Sequence, residues 1–217
     1  MKRAVLAEFI GSLLLAAAVI GSGIMAESLS VGNDGVALLG NTLATVAVLA
    51  VLIAMFAPIS GAHFNPAVTG IALIRRELSG IRAGAYVVAQ VAGCCVGAVL
   101  AHEMFERVLL QSSTHARTGM AQWSAEVVAT AGLILTAFLS PTAKEAAWRV
   151  PAWIAGAYWF TASTSFANPA ITFARSLTDS FSGIRPQDVG AFVIAQAAGA
   201  LVGLLLLRSF RDAGERA

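Results

Sequence analysis

Charged side chains are scarce in this chain. Asp, Glu, Lys and Arg make up 12% of its 217 residues, against 58% hydrophobic residues, and the mean hydropathy is +0.78. A soluble domain of this length carries about twice that charge. The composition points to an integral membrane protein with almost no extramembrane domain, its main partner being the lipid bilayer. A net charge of +2 offers nothing for nucleic acid to bind. Cysteine is limited to Cys94 and Cys95. Adjacent residues point to different faces of a helix, so the two read as packed small apolar groups rather than a disulfide or a metal site. The three histidines, His63, His102 and His115, lack metal-ligand spacing, and no nucleophile–base pair stands out. Enzymatic chemistry and a cofactor therefore have no residues to carry them. A cleavable signal peptide is imitated by Met1-Lys2-Arg3 and the apolar run behind it. That run continues to about Met25 and is interrupted early by Glu8, so it reads as a first spanning helix.

What is abundant is long apolar sequence. Six stretches, about 4–25, 36–57, 82–103, 122–141, 147–164 and 187–208, approach the roughly 20 residues a spanning helix requires. The fifth is the weakest, being short and rich in Trp148, Trp153, Tyr158 and Trp159. Two further apolar pieces, roughly 66–75 and 169–177, are too short to span. Each begins at the same tripeptide, Asn65-Pro66-Ala67 and Asn168-Pro169-Ala170. Asn is a preferred N-cap, and Pro suits the first helical turn because its missing N–H would be unbonded there anyway. Both pieces read as re-entrant half-helices. The fold class is an all-α membrane protein of six transmembrane helices plus two re-entrant half-helices.

Basic residues set the orientation. With both termini cytoplasmic, the inner side holds Lys2, Arg3, Arg75, Arg76, Arg82, Lys144, Arg149, Arg208, Arg211 and Arg216, and the outer side only Arg107, Arg117, Arg175 and Arg185. The plasma membrane, a bacterial inner membrane, is the expected location. The segment 104–121 becomes the longest outer connection and links two related halves, repeat one at about 1–105 and repeat two at about 121–210, within a single domain of 1–217. Ala7-Glu8-Phe9 matches Ala125-Glu126-Val127, and Val88-Ala89-Gln90 matches Ile194-Ala195-Gln196. Three spans per half give the halves opposite orientations, an inverted-topology repeat whose functional site belongs at their interface. The pairs Gly93/Gly97 and Gly199/Gly203 read as close helix packing.

Non-helical backbone at membrane depth is tolerated where it lines a cavity. The approaches to the half-helices, about 59–64 (with Gly61, Ala62, His63 and Phe64) and 161–167, would present a file of carbonyl acceptors opposite apolar helices. At the centre, the Asn65 and Asn168 amides would donate to a passing water or hydroxyl oxygen. Two inward helix N-termini add positive potential equivalent to roughly half a charge each, opposing cations and proton hopping. Glu8 and Glu126 lie inside spans, where ionisable groups face the bundle interior. They read either as proton-coupling groups or as acceptors that support the re-entrant loops, and Gln90 and Gln196 as interhelical contacts. His63 could titrate near neutral pH. His102 and His115 read as surface residues.

These residues resemble the aquaporin (major intrinsic protein) family over nearly the whole chain. The likeness rests on Ala7-Glu8-Phe9 with Gly11, on Ser60-Gly61-Ala62-His63-Phe64-Asn65-Pro66-Ala67-Val68, on Gln90, on Ala125-Glu126, on Asn168-Pro169-Ala170 and on Gln196. The resemblance implies one pore per subunit, a homotetramer, a pore-wall role for His63 and a loop-supporting role for the two glutamates. It implies an Arg directly after the second Asn-Pro-Ala, where this chain has Ile171. By spacing to the motifs, the other filter positions fall on Thr45, Gly156 and Ser165; a shift of one residue in the fifth span would bring in Ala157, and of two Tyr158. The set is small and uncharged. It favours a bacterial aquaglyceroporin-like channel, passive and wide enough for small neutral solutes (glycerol-like polyols, neutral metalloid hydroxides such as arsenous acid) and water. A water-selective channel and an ion-coupled secondary transporter are the alternatives. Arg175, four residues after Ile171, shares its helix face one turn outward. It could guard the vestibule, anchor at the interface or bind carbonyls of the outer loop.

Overall fold

The computed structural model describes residues 1–214; Arg216 lies outside them, and of Arg211 only the backbone is described. The chain forms α1 (Lys2–Ser30), α2 (Asp34–Ser60), α3 (Pro66–Ile74), α4 (Gly80–Met104), α5 (Met120–Phe138), α6 (Ala143–Phe160), α7 (Pro169–Arg175) and α8 (Pro186–Gly214). Among the described residues there is no strand. Helices α1, α2, α4, α5 and α8 are each long and apolar enough to cross a membrane. The weakest expected span is realised as α6, displaced towards the N-terminus: it starts at Ala143 because Thr142 caps it, its hydroxyl accepting from the Glu145 N–H. With Lys144, Glu145 and Arg149 in its first turns it is less apolar than the others. At 18 residues it is still about 27 Å long, close to the hydrocarbon thickness.

Packing follows the halves. The most extensive contact is α1 on α4, and α5 on α8 is its counterpart in the second half. Small residues bring these backbones together. A Cβ at Gly93 or Gly97 would run into the carbonyl oxygens of Phe9 and Leu13, and one at Gly199 or Gly203 into those of Val127 and Ala131. Polar contacts add to this where lipid offers no partner: Asn41 Nδ2 donates to the Val19 carbonyl at 2.8 Å and to Ser22 Oγ at 2.9 Å, tying α2 to α1.

The half-helices α3 and α7 begin as the Asn-Pro signal requires. Asn65 Oδ1 accepts from the Ala67 N–H at 2.8 Å, and Asn168 Oδ1 from the Ala170 and Ile171 N–H groups at 3.0 and 3.3 Å. The stretches leading into them are non-helical from Gly61 and Thr161 onward; residues 59–60, expected in the first loop, are instead the last of α2. His102 departs from the expected surface position. It is fully buried near the end of α4, with Nδ1 2.8 Å from the Leu109 carbonyl, because the chain after α4 folds back over it.

That returning segment, 105–119, joins the stretch 176–188 across one end of the bundle. Ser113 N–H donates to the Ser176 carbonyl, Arg185 N–H to the His115 carbonyl and Arg117 N–H to Asp188 Oδ2. Thr114 donates to Asp179 Oδ1 through both its N–H and its hydroxyl, at 2.8 and 2.9 Å. These bonds hold the Asp179 carboxyl below the usual carboxylate range.

Candidate functional site: a cavity between the two half-helices

Each loop into a half-helix contains left-handed residues: Ala62 at φ 52° and Phe64 at 48° in the first, Thr164 at 58°, Ser165 at 51° and Ala167 at 46° in the second. Such residues cost about 1–2 kcal/mol apiece and need firm anchors. Glu8 is the first anchor. Its Oε1 accepts from Ser60 Oγ at 2.6 Å and the His63 N–H at 3.0 Å, and its Oε2 from the Phe64 N–H at 2.7 Å and Gln90 Nε2 at 2.8 Å. Glu126 repeats the pattern with Ser163 Oγ at 2.6 Å, the Phe166 and Ala167 N–H groups at 2.9 Å, and Gln196 Nε2 at 2.6 Å. Both carboxylates are fully buried. The same glutamine amides reach the half-helices, Gln90 to Thr69 Oγ1 at 2.9 Å and Gln196 to Thr172 Oγ1 at 2.8 Å. The two N–H donors per carboxylate hold the left-handed backbone in place.

The Asn-Pro tips meet directly. Asn65 Nδ2 donates to the Ala167 carbonyl at 2.7 Å, and Asn168 Nδ2 donates to the Phe64 carbonyl at 2.8 Å. Each side-chain oxygen caps its own helix, one amide hydrogen braces the opposite loop, and the second amide hydrogen remains for the space alongside. The crosswise brace is a feature that spacing along the chain did not reveal.

A cavity of about 180 Å³ runs past these tips. Its wall includes Gly61, Ala62, His63, Phe64, Asn65 and Asn168, together with Thr45, Ser165, Ile171 and Arg175. His63 is half-buried there, its Nδ1 3.1 Å from Thr69 Oγ1. The apolar wall comes from Leu49, Ile53, Val68, Leu133, Val150 and Ile154. Thr45 Oγ1, Ser165 Oγ and Arg175 Nη1 are buried with no partner.

Gly156 is not part of this wall. It is exposed, and nothing lies within 4 Å of where its Cβ would be. The reason is helix phase. Trp153 faces α5, its Nε1 donating to the Ala129 carbonyl at 2.9 Å and its ring filling the space over Gly132. Val150, Ile154, Ala157 and Tyr158 then form the buried face of α6. Gly156 is two residues, about 200°, from both Ile154 and Tyr158. Tyr158 lines the cavity in its place.

Arg175 is not anchored at a membrane interface. It is 2% exposed and lines the cavity. Its Nε donates to the Ser182 carbonyl, and its Cζ lies 3.4 Å from the centre of the Phe166 ring. Arg117, which no sequence pattern singled out because it sits in a connecting loop, approaches the same ring at 5.0 Å. Its guanidinium donates to the carbonyls of Gly183 at 2.7 Å and Phe181 at 3.3 Å. Burial lowers the Arg117 pKa from its ordinary value. The end of the cavity near the 105–119 loop therefore carries an arginine and a tyrosine. At the opposite end Phe138 lines the wall, with the Arg75 guanidinium 5.0 Å over its ring. Among the described residues no cluster of His, Cys, Asp and Glu could hold a metal ion.

The model of the family described as major intrinsic protein matches residues 1–154. The aquaglyceroporin AqpS of Rhizobium meliloti (strain 1021) is 50% identical over 210 residues, covering 96% of this chain and 90% of that protein. The probable aquaporin PIP2-8 of Arabidopsis thaliana is 38% identical over 152 residues, covering 67% of this chain and 54% of the plant protein. Among solved structures, the aquaglyceroporin from Plasmodium falciparum shares the fold, with a TM-score of 0.72 and 18% identity over 95% of this chain and 94% of that one. Paired Asn-Pro-Ala half-helices around one cavity and a matching relative along almost the entire length lead to one assignment: this chain is a multi-pass membrane protein of the major intrinsic protein family, a family of channels rather than enzymes.

Proposed function

We propose that the chain is a passive channel for small uncharged solutes, glycerol-like polyols foremost, with water as a second permeant and neutral metalloid hydroxides such as arsenous acid as a further class. The observation that carries this reading is Ile171, a branched apolar side chain lining the cavity directly after the second Asn-Pro-Ala, where the family places a guanidinium. Its neighbours Thr45 and Ser165 are small. A polyol can exchange water for the loop carbonyls and the free amide hydrogens of Asn65 and Asn168 while its carbon face follows Leu49, Ile53 and Val68. The 50% identical relative named as an aquaglyceroporin agrees with this substrate class.

The constriction comprises Thr45, Tyr158, Ser165, Ile171 and Arg175 in this reading, with Glu8 and Glu126 holding the loops and Gly61, Ala62, His63 and Phe64 forming the wall. The two halves act as inverted repeats around the central asparagines. The protein works as a homotetramer with a pore in each subunit, set in a bacterial inner membrane with both termini cytoplasmic. The lipid-exposed apolar faces and the inward bias of Lys and Arg support that placement.

Tyr158 and Arg175 favour a second reading, a water-selective pore, because an aromatic ring and a guanidinium at one end narrow the passage. Shrinkage of proteoliposomes under matched glycerol and sucrose gradients separates the two. A glycerol rate well above that of empty liposomes supports the polyol channel. A water rate above background with glycerol at background supports the water channel.

A further inference from the structure

Two guanidiniums, the buried Arg175 and the half-buried Arg117, share the Phe166 ring, and neither has an acid. Among the described residues the ion pairs are Arg75–Glu77, Arg149–Glu145 and Arg185–Asp188. The acids nearest in the network are committed elsewhere. Glu126 accepts four hydrogen bonds from Ser163, Phe166, Ala167 and Gln196. Asp188 accepts from the Arg185 guanidinium and the Arg117 N–H. Arg117 spends its donors on loop carbonyls. Arg175 spends Nε on Ser182, while Nη1 lies buried in the cavity wall with no partner. A buried charge is tolerated when it is paired, and a wholly buried cation left over at a cavity is a place where a counterion binds. Two more unpartnered donors line the same cavity, the hydroxyls of Thr45 and Ser165.

We propose that Arg175, with Ser165 and Thr45, forms an anion-binding site inside the pore that takes a small monovalent oxyanion of carboxylate type, and that its occupancy blocks neutral solutes. Charge-assisted hydrogen bonds from a guanidinium to a carboxylate are about twice as strong as neutral ones, so the anion outcompetes a hydroxyl at this point. It goes no further because the walls next inward, Ile171, Leu49 and Ile154, are apolar and offer no donor to replace Arg175 before the central asparagines are reached. The anion is a plug rather than a permeant. The proposal rests on the channel reading above, and its failure is distinguishable from the failure of that reading.

The test uses the full chain in liposomes at pH 7.5, with sodium formate as the probe at equal concentration inside and outside and sodium chloride balancing ionic strength. The glycerol rate is expected to fall saturably, by more than half, as formate rises. Arg175→Gln is expected to abolish the saturable inhibition, Arg175→Lys to retain part of it, and Ser165→Ala to shift half-inhibition to higher formate. Each variant is read as a ratio to its own rate without formate, so a change in basal flux does not obscure the result. Should Arg175→Gln fail to insert, the Ser165→Ala shift carries the test. A wild-type glycerol rate that formate leaves unchanged overturns the site. Equal inhibition of wild type and Arg175→Gln also overturns it. Isotopic formate entering through the channel faster than into empty liposomes overturns the block. A glycerol rate at background before formate is added sinks the channel reading instead.

Discussion

Asn65 donates an amide hydrogen to the carbonyl of Ala167 at 2.7 Å, so each half of the chain is stitched to the backbone that precedes the other half's Asn-Pro-Ala. The reciprocal bond from Asn168 to Phe64 closes the brace. An asparagine here is a cap, a strut and a pore donor at once, and those duties use its oxygen, one amide hydrogen and the other. Asn65→Asp keeps the cap but removes the strut, setting a carboxylate against a carbonyl. The expected outcome is a channel that unfolds in detergent at lower temperature and loses flux for glycerol and water together. Unaltered flux for both would show that the brace is dispensable.

Glu8→Gln and Glu126→Gln remove one acceptor oxygen from a site that satisfies four donors. A buried N–H left unpaired costs about 1–3 kcal/mol, and the left-handed loop residues lose their anchor. Thermal unfolding should report a loss of at least that size for either variant, similar in the two because the patterns match. A large loss at one site and none at the other would show that the halves are held differently.

Ile171→Arg places a second guanidinium one turn inward of Arg175. Glycerol flux is expected to fall about tenfold, equivalent to about 1.4 kcal/mol of barrier, with water reduced much less. Equal loss of both in proteoliposomes would indicate a blocked or misfolded pore. An unchanged glycerol rate would remove residue 171 from the constriction.

The phase of α6 makes opposite forecasts for two residues close in sequence. Gly156→Ala points away from the cavity and should leave flux unchanged while adding up to about 1 kcal/mol of helix stability. Tyr158→Ala should widen the passage and raise the permeability to a larger polyol such as ribitol. The reverse pattern in shrinkage assays would overturn the assignment of the lining face.

Asp179 ties the 105–119 segment to the second half through Thr114. Its folded pKa is held below the ordinary value of about 3.9, so the tie contributes above that value and is lost as pH falls through the lower one. The Thr114 amide resonance should therefore be flat from pH 8 to 5 and titrate with a midpoint below about 3.9. A midpoint at or above that value would contradict the two hydrogen bonds drawn to Asp179.

Elements whose identity is local or duplicated were legible in the sequence alone. Asn-Pro favours a helix start through local capping, and its two copies, with Glu8 and Glu126 and with Gln90 and Gln196, revealed the symmetric frame, because a repeated fold must repeat the residues that satisfy its buried backbone. Tertiary structure decided what depends on direction rather than position. Spacing from the motif put Gly156 at the right depth, but the docking of Trp153 on Gly132 turned that face outward and brought Tyr158 to the cavity. His102 became buried only because a loop closes over it. Arg175 would have reached for water on an isolated helix; the Ser182 carbonyl and the Phe166 ring hold it inside. Periodicity specifies which residues share a face, and only packing against other helices and loops specifies what that face meets.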